Sequence, residues 1–292
     1  MPEGDTVWRT ARRLHEALAG RDIVESDLRW PSIATVDLRG RSTLEVVSRG
    51  KHLLHRIDGG LTLHSHLRME GQWRIEATAR LKPGWRRSPD LRALVATADW
   101  TALGLRLGML DLVETRDEAQ LVGHLGPDLL GDDWDASVAV DHLAAARVPL
   151  GEALLDQRNL AGLGTLWASE TLFVLRLHPW TIASTLDRAV LEQVVDRARR
   201  LIDGGRRDAI QSSTGSLAKG ETTYVHGRSG RPCRRCGGTV RVAMIGPPTR
   251  ERTMFYCPSC QGGLGPADDG RPQRPLGSET SRGAGRGRRR PD

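Results

Sequence analysis

The chain has 292 residues, of which 38% are hydrophobic and 27% charged, and its formal net charge is +7. This length predicts two domains with room for a small third module, and the basic balance favours a polyanionic partner such as nucleic acid. The absence of any apolar run of about 18 residues argues against a transmembrane helix, and the acidic start M-P-E-G-D-T is unlike a secretory signal. We therefore expect a cytoplasmic, nucleoid-associated protein without a membrane partner, whose thiols stay reduced.

The first predicted elements are one helix and a set of strands. Asp5 to Leu18 carries apolar residues at helical spacing, with Asp5 placed to cap the helix and Gly20 to end it. Gly-Gly at 59–60 and Asp-Trp-Thr at 99–101 are typical of hairpin turns. Together with recurring short apolar segments they predict a β-sandwich of about eight strands. The segments are 43–47, 52–57, 61–67, 72–76, 92–98, 102–107 and 109–115.

The second half of the chain has a helical pattern followed by hairpin texture around the cysteines. Gly162-Leu163-Gly164 is predicted to form a tight turn between two helices. From about residue 265 the chain is rich in Gly, Pro and Arg, which predicts disorder. The predicted fold class is α+β multidomain. The predicted helices are 117–125, 137–147, 149–156, 166–174 and 187–203.

The clearest chemical signal is a pair of C-x2-C motifs separated by 20 residues. Two such pairs supply four thiolates to one tetrahedral site, so the spacing predicts one structural Zn²⁺ without an open coordination position. Arginines crowd this module, which suits it to phosphates. A zinc finger alone is also compatible with binding protein or RNA. The four predicted ligands are Cys233, Cys236, Cys257 and Cys260.

The N-terminus offers a candidate nucleophile. Initiator methionine is usually removed when proline follows, which would leave Pro2 with a free secondary amine. Because an α-amino group has a pKa of about 7.7–8.0, part of it is unprotonated near neutrality and can attack an electrophilic carbon to form an imine. Glu3 lies beside it and is suited to proton transfer. The alternative is a structural proline heading a helix whose acidic neighbours favour the helix dipole.

Five short motifs in distant parts of the chain are more informative as a set than singly. In chain order they are M-P-E-G-D at the start, R-G-K-H-L at 49–53, D-Q-R-N-L-A-G-L-G at 156–164, V-H-G-R-S-G-R-P-C-R-R-C-G at 225–237 and R-T-M-F-Y-C-P-S-C-Q at 252–261. This set resembles the formamidopyrimidine-DNA glycosylase and endonuclease VIII family over about residues 1–262. M-P-E-G is most similar to the actinobacterial members of the endonuclease VIII branch.

The resemblance implies three folded modules with DNA in the cleft between the two halves. They are an N-terminal catalytic β-sandwich domain with its N-terminal helix (1–118), a helix-two-turn-helix DNA-binding domain (119–222) and a C-terminal β-hairpin zinc finger (223–262). Residues 263–292 are left as a disordered basic tail. A monomer is expected.

The family's chemistry implies roles for four residues. There the N-terminal proline attacks C1′ of a damaged nucleotide, so Pro2 is the implied nucleophile and Glu3 the general acid/base. Lys51, within R-G-K-H-L, and Arg252, five residues before Cys257, match the family's phosphate-binding lysine and arginine. The structural alternatives are a solvated lysine at a strand start and one arginine among many in the finger.

Three further positions bear on DNA binding and on departures from the family. Met69, in H-S-H-L-R-M-E-G, matches a methionine that fills the gap left by an extruded base, a role that suits a flexible apolar side chain; the alternative is a buried core methionine. Thr165 stands where many relatives carry a phosphate-binding Asn. Thr6 stands where many carry a second Glu, which leaves Glu3 as the main proton carrier.

The implied function is a bifunctional DNA glycosylase and abasic-site lyase acting by β,δ-elimination on damaged DNA, whether duplex, bubble or single-stranded. The chain is short between Thr214 and Tyr224, where formamidopyrimidine glycosylases carry a longer loop over 8-oxoguanine, so oxidised pyrimidines are the favoured substrates. Two alternatives remain open: a zinc-finger DNA-binding protein that has lost catalysis, and an RNA- or ribosome-associated zinc ribbon.

Overall fold

The computed structural model describes residues 2–266 and 268–275. It begins with helix α1 (Gly4–Leu18), one residue earlier than predicted, and the chain turns away at Gly20, whose φ is +71°. The prediction that Asp5 caps this helix is wrong. Its buried carboxylate instead accepts hydrogen bonds of 2.8 and 2.9 Å from Gln211 Nε2, which ties α1 to the segment that follows the last long helix.

Eight strands follow and confirm the predicted β-sandwich. The strands are β1 (Glu25–Leu28), β2 (Thr43–Arg49), β3 (His52–Ile57), β4 (Leu61–His66), β5 (Gln72–Ala77), β6 (Leu91–Ala96), β7 (Trp100–Leu105) and β8 (Met109–Glu114). They form two four-stranded antiparallel sheets, with the orders β1-β6-β7-β5 and β2-β3-β4-β8, and Leu53, Leu63, Val95 and Leu110 share the core between them.

One predicted hairpin turn is correct and the other is displaced. Gly59 and Gly60 join β3 to β4 with φ values of +76° and +72°, which glycine adopts without strain. The turn predicted at 99–101 lies earlier, because Thr97 Oγ1 accepts a 3.0 Å hydrogen bond from the Trp100 N–H and closes the turn. Trp100 therefore already belongs to β7.

The helical region has its own core, centred on the fully buried Trp167. The helix predicted over 117–125 is limited to a single turn, and Gly162, with φ +97°, makes the predicted turn before the helix that begins at Thr165. Within the described residues, no helix is long and apolar enough to cross a membrane. The helices are α2 (Ala119–Val122), α3 (Ala136–Ala145), α4 (Leu150–Leu155), α5 (Thr165–Val174) and α6 (Arg188–Gly204).

The cysteine module is a hairpin of β9 (Arg241–Ile245) and β10 (Arg252–Tyr256), followed by the short helix α7 (Pro258–Gln261). Met254 packs into the core of the helical region, and the Phe255 N–H donates a 3.2 Å hydrogen bond to Ser169 Oγ on α5. The hairpin is therefore fixed to the helical region by apolar packing and by this hydrogen bond.

The segment after the hairpin differs from the predicted disordered tail. Asp268, whose side chain is 1% exposed, pairs with Arg241 and accepts a 2.5 Å hydrogen bond from the Tyr256 hydroxyl. Gln273 bonds both the N–H and the carbonyl of Val242, so its amide extends the hairpin edge like a strand residue. A few polar anchors thus order this apolar-poor segment. The rest of the predicted tail, 276–292, lies outside the described residues.

We expect Asp268→Asn to lower the free energy of unfolding by about 3 kcal/mol, because the change leaves the Arg241 charge buried without its partner. The paired guanidinium lowers the pKa of Asp268 to about 2. The pair should therefore stabilise the fold above the ordinary carboxyl pKa and lose this effect as the pH falls toward 2. Thermal denaturation measures the change.

The matched control is Asp269→Asn, which alters the adjacent residue, whose side chain is 62% exposed. It should leave the melting temperature almost unchanged, since exposed ion pairs contribute little. Equal melting temperatures for the two variants would contradict the structural role of Asp268.

Candidate active site

A cavity of about 520 Å³ brings together five of the residues that the sequence analysis singled out. They come from the chain start, the β3 and β4 ends of the sandwich, the start of α5 and the cysteine hairpin. The sixth, Glu3, lies directly behind the cavity wall, in contact with Gly164. The five lining residues are Pro2, Lys51, Met69, Thr165 and Arg252.

Pro2 is held at the cavity by the turn before α5. The Gly4 N–H donates a 2.9 Å hydrogen bond to the Gly162 carbonyl, and a Cβ added to Gly4 would lie 3.0 Å from Gly162 Cα. Gly4 therefore permits a close approach of two backbone segments. The half-buried Pro2 emerges from this contact into the cavity.

Glu3 is buried at the N-terminus of α5. Its carboxylate accepts hydrogen bonds of 2.8 Å from the N–H groups of Gly164 and Leu166 and a longer one, of 3.4 Å, from Trp167. Free N–H groups and the helix dipole favour an anion there. Burial nevertheless raises the pKa of Glu3 overall, against the opposing effects of the Lys51 charge and the N–H donors. Glu3 is thus suited to hold a proton at a higher pH than an ordinary carboxyl group.

Lys51 is a cation whose charge acts on this carboxyl group. Its Nζ donates a 2.5 Å hydrogen bond to the Leu163 carbonyl, in the turn that also binds the Gly4 N–H. Burial lowers the pKa of Lys51 to about 8; Glu3 opposes this shift and Arg252 adds to it. The pKa of Lys51 therefore lies close enough to neutral pH that a moderate rise in pH removes its charge.

This pKa has a kinetic consequence. For the implied abasic-site lyase, we expect kcat/KM to fall as the pH rises through about 8, since Lys51 then loses the charge that the family resemblance assigns to phosphate binding and kcat/KM reports the free enzyme. Lys51→Arg keeps its charge at every accessible pH and should remove this alkaline decline. The measurement is the pH profile of each enzyme.

The control for this profile is Lys82→Arg, at an exposed lysine that does not line the cavity. It should retain the wild-type profile. An unchanged alkaline decline in Lys51→Arg would show that another group titrates.

The other predicted DNA contacts differ in exposure. Met69 is 63% exposed in the loop between β4 and β5, so the alternative of a buried core methionine is wrong. Thr165 is almost fully buried at the first position of α5, and Arg252 is exposed at the start of β10. One apolar side chain and one guanidinium thus face solvent at the cavity mouth.

Sequence reasoning missed the residues that hold the cavity walls in place. Gln157 Nε2 donates a 2.9 Å hydrogen bond to the Leu163 carbonyl, and its Oε1 accepts from the Gly162 N–H at 3.1 Å. The buried Asp128 accepts a 2.7 Å hydrogen bond from the Gly50 N–H and so fixes the residue before Lys51. Gln157 lies within the motif already singled out, whereas nothing local marks Asp128.

Histidines also line the cavity and were overlooked. The four are His52, His64, His66 and His124. His52 on β3 and His64 and His66 on the neighbouring strand β4 lie within 15 residues of the sequence. That density in one hairpin is a signal that sequence reasoning had available.

The four cysteines form a compact group whose sulfurs all lie within 4.8 Å of one another. Cys236 and Cys257 have their Sγ atoms 3.5 Å apart, and those of Cys233 and Cys260 are 3.9 Å apart. A tetrahedral Zn²⁺ with Zn–S bonds of about 2.3 Å places its sulfurs about 3.8 Å apart. The donor set therefore fits a structural zinc ion.

Comparisons with known proteins agree with this geometry. The formamidopyrimidine-DNA glycosylase N-terminal domain matches residues 1–101, and the formamidopyrimidine-DNA glycosylase H2TH domain matches residues 125–217. A probable endonuclease 8 2 of Streptomyces coelicolor is 49% identical over 93% of this chain and 98% of its own length. The chain belongs to the formamidopyrimidine-DNA glycosylase and endonuclease 8 family. The predicted family is confirmed.

Other family members extend the likeness. The DNA-(apurinic or apyrimidinic site) lyase Nei2 of Mycolicibacterium smegmatis is 43% identical over 89% of this chain and 99% of its own length. The Lactococcus lactis formamidopyrimidine-DNA glycosylase, solved non-covalently bound to DNA containing an abasic site, superposes with a TM-score of 0.74 over 89% of this chain and 99% of that one. At 23% identity this second likeness shows the shared fold.

Proposed function

We propose that this protein is a bifunctional DNA glycosylase and abasic-site lyase of base excision repair. The observation that carries the proposal is the single cavity that joins the chain start, Lys51 and Arg252, with the buried Glu3 carboxyl group directly behind it. A protein that only binds DNA needs cations in such a cleft but gains nothing from a protonatable carboxyl group buried behind an N-terminal proline.

The first chemical step is base removal. After loss of Met1, the Pro2 nitrogen attacks C1′ of the extruded nucleotide, and the bond from C1′ to the base breaks with its electron pair leaving on the base. The Pro2 nitrogen then loses its hydrogen as a proton, and the departing base takes up a proton in its place. Glu3 gives its proton to the ring oxygen as the C1′–O4′ bond opens. The product is an iminium ion that joins Pro2 to the open sugar.

The second step is strand cleavage. The iminium ion acidifies the hydrogens on C2′, so loss of one of them expels the 3′ phosphate and a second elimination expels the 5′ phosphate. Lys51 and Arg252 hold the phosphates beside the lesion and stabilise their developing charge. Hydrolysis of the imine returns the free Pro2 amine.

DNA binding and the zinc centre complete the proposal. Met69 enters the gap left by the extruded nucleotide, as an exposed apolar side chain at the cavity mouth is suited to do. The Thr165 hydroxyl and backbone N–H at the start of α5 contact a phosphate. One Zn²⁺, held by the four cysteines, does no chemistry and fixes the hairpin that presents Arg252.

Oxidised pyrimidines are the proposed substrates, in duplex, bubble or single-stranded DNA, and the working form is a monomer. The loop from Ser213 to Thr222 is closed by a 2.9 Å backbone hydrogen bond between these two residues. None of its residues lines the described cavity, so it provides no cover for a purine.

The test is borohydride trapping with DNA that contains an abasic site, beside a panel of oxidised pyrimidines and 8-oxoguanine. We expect a covalent adduct with the abasic DNA and preferential release of the oxidised pyrimidines. DNA binding without any adduct or strand cleavage would instead identify a protein that has lost catalysis.

A further inference from the structure

A hydrogen-bonded chain of three polar side chains ends in the active-site cavity. Asp111 Oδ2 lies 2.9 Å from His64 Nδ1, and His64 Nε2 lies 2.8 Å from His52 Nδ1. Asp111 is paired directly with His64 in the register of β4 and β8, and His52 is the diagonal neighbour of His64 on β3. The sheet itself therefore places the three groups in line.

The chemistry of the chain sets the direction of its hydrogen bonds. The Asp111 carboxylate only accepts, so His64 Nδ1 carries the proton between them. A His64 ring that carries this one proton accepts at Nε2, so His52 donates from Nδ1. An uncharged His52 has no second N–H, which leaves its Nε2 with a lone pair.

The surroundings of His52 favour the uncharged ring. Its ring stacks on His64 at 5.1 Å and meets the edges of His66 at 4.9 Å and His124 at 6.4 Å. Burial, together with these rings and Arg68, lowers the pKa of His52 to about 3. His52 therefore gives this wall of the cavity an uncharged hydrogen-bond acceptor. The cations suited to bind phosphates, Lys51 and Arg252, line other parts of the cavity.

We propose that His52 determines substrate specificity by accepting a hydrogen bond at Nε2 from an N–H group of the extruded base. His64 and Asp111 are positioning residues that keep this nitrogen unprotonated. The bases selected carry N3–H, as oxidised or saturated uracil and thymine derivatives do; cytosine derivatives present an acceptor at N3 instead. The inference rests on the proposed glycosylase function and narrows its substrate class.

The experiment measures single-turnover base release from two oligonucleotides, one with 5,6-dihydrothymine and one with its N3-methyl analogue. We expect the wild-type enzyme to favour the N3–H base by about tenfold, the effect of one buried hydrogen bond. His52→Phe keeps a flat ring without the acceptor and should release both bases at similar rates. The added bulk of the methyl group is the same for both enzymes. A difference between the wild-type and His52→Phe preferences therefore reports the hydrogen bond to His52.

A second variant acts from outside the cavity. Asp111→Asn replaces a group that can only accept with one that can also donate. The hydrogen bonds from residue 111 through His64 to His52 can then reverse their direction, and the preference for the N3–H base should fall severalfold. Glu114→Gln, at an exposed carboxylate on the same strand β8, is the matched control and should keep the full preference. A preference that survives in His52→Phe would overturn the proposal.

Incision of abasic DNA is measured on the same preparations to separate the possible failures. An equal loss of abasic incision and base release in His52→Phe would place the contact on the sugar-phosphate backbone and overturn the base-reading role. Absence of abasic incision in the wild-type enzyme would refute the glycosylase-lyase function itself. Thermal denaturation confirms that each variant is folded.

Discussion

Replacement of Glu3 by glutamine is expected to slow base release by about 10²- to 10⁴-fold, the usual contribution of a positioned general acid. The amide keeps the shape of the side chain but has no acidic proton for the sugar ring oxygen. Incision of a preformed abasic site should fall much less, because its sugar already opens to an aldehyde. Single-turnover rates on the two substrates measure the split.

The same variant should lose a pH dependence. Because the pKa of Glu3 is raised, its proton is available at a higher pH than usual, and wild-type base release should decline as the pH rises through that pKa. The decline should be absent from the residual activity of Glu3→Gln. An identical profile in both enzymes would rule out Glu3 as the acid.

A matched control separates chemistry from stability. Glu3→Gln turns an NH₂ group toward the N–H of Gly164 or Leu166, which costs about 1–3 kcal/mol. Asp5→Asn also alters a buried carboxylate, two residues away in the first turn of α1, that pairs with Gln211 rather than facing the cavity. Its base release should stay near the wild-type rate at neutral pH. Since the Asp5 charge raises the pKa of Glu3, the decline in base release of the Asp5→Asn variant should shift to a slightly lower pH.

Loss of the free proline amine is expected to have the largest effect. Pro2→Gln keeps Met1 in place, since the methionine is removed only before small residues, and no amine then stands at the position of the Pro2 nitrogen. Strand cleavage should fall by about 10⁴-fold or more, as for other covalent nucleophiles, and the borohydride adduct should disappear.

The control for this experiment is Pro2→Gly, which permits removal of Met1 and leaves a primary amine at the same position. It should retain a detectable adduct and partial cleavage. If Pro2→Gln still traps DNA as well as the wild-type enzyme, another residue forms the imine.

The local elements were largely predictable because each has a periodic apolar face. Helix α1 and strand β3 lie within one residue of their predicted bounds, since Val7, Ala11 and Leu14 repeat at helical spacing and Gly59-Gly60 fixes the following turn. Thr97 was missed at the β6–β7 turn because its side-chain hydrogen bond replaces the usual turn residues.

The candidate site was predictable only where motifs identified it. Pro2, Lys51 and Arg252 are separated by up to 250 positions yet line one cavity, and the family resemblance anticipated their meeting. Neither Asp128 beneath Gly50 nor Asp111 behind His64 is marked by a local pattern, because each acts across elements that only the tertiary fold brings together.

The ordered segment after the hairpin has a related explanation. Composition predicts disorder from the small apolar area of residues 263–275, but it cannot register a buried ion pair such as Arg241–Asp268 or an amide that mimics a strand.

We expect the amine at the chain start to form the bond to DNA. The most direct measurement is mass spectrometry of peptides from the wild-type protein after borohydride reduction on abasic DNA. The sugar remnant should be attached to an N-terminal peptide that begins at Pro2. Attachment to Lys51 or to any other lysine, or an N-terminal peptide that still carries Met1, would contradict it.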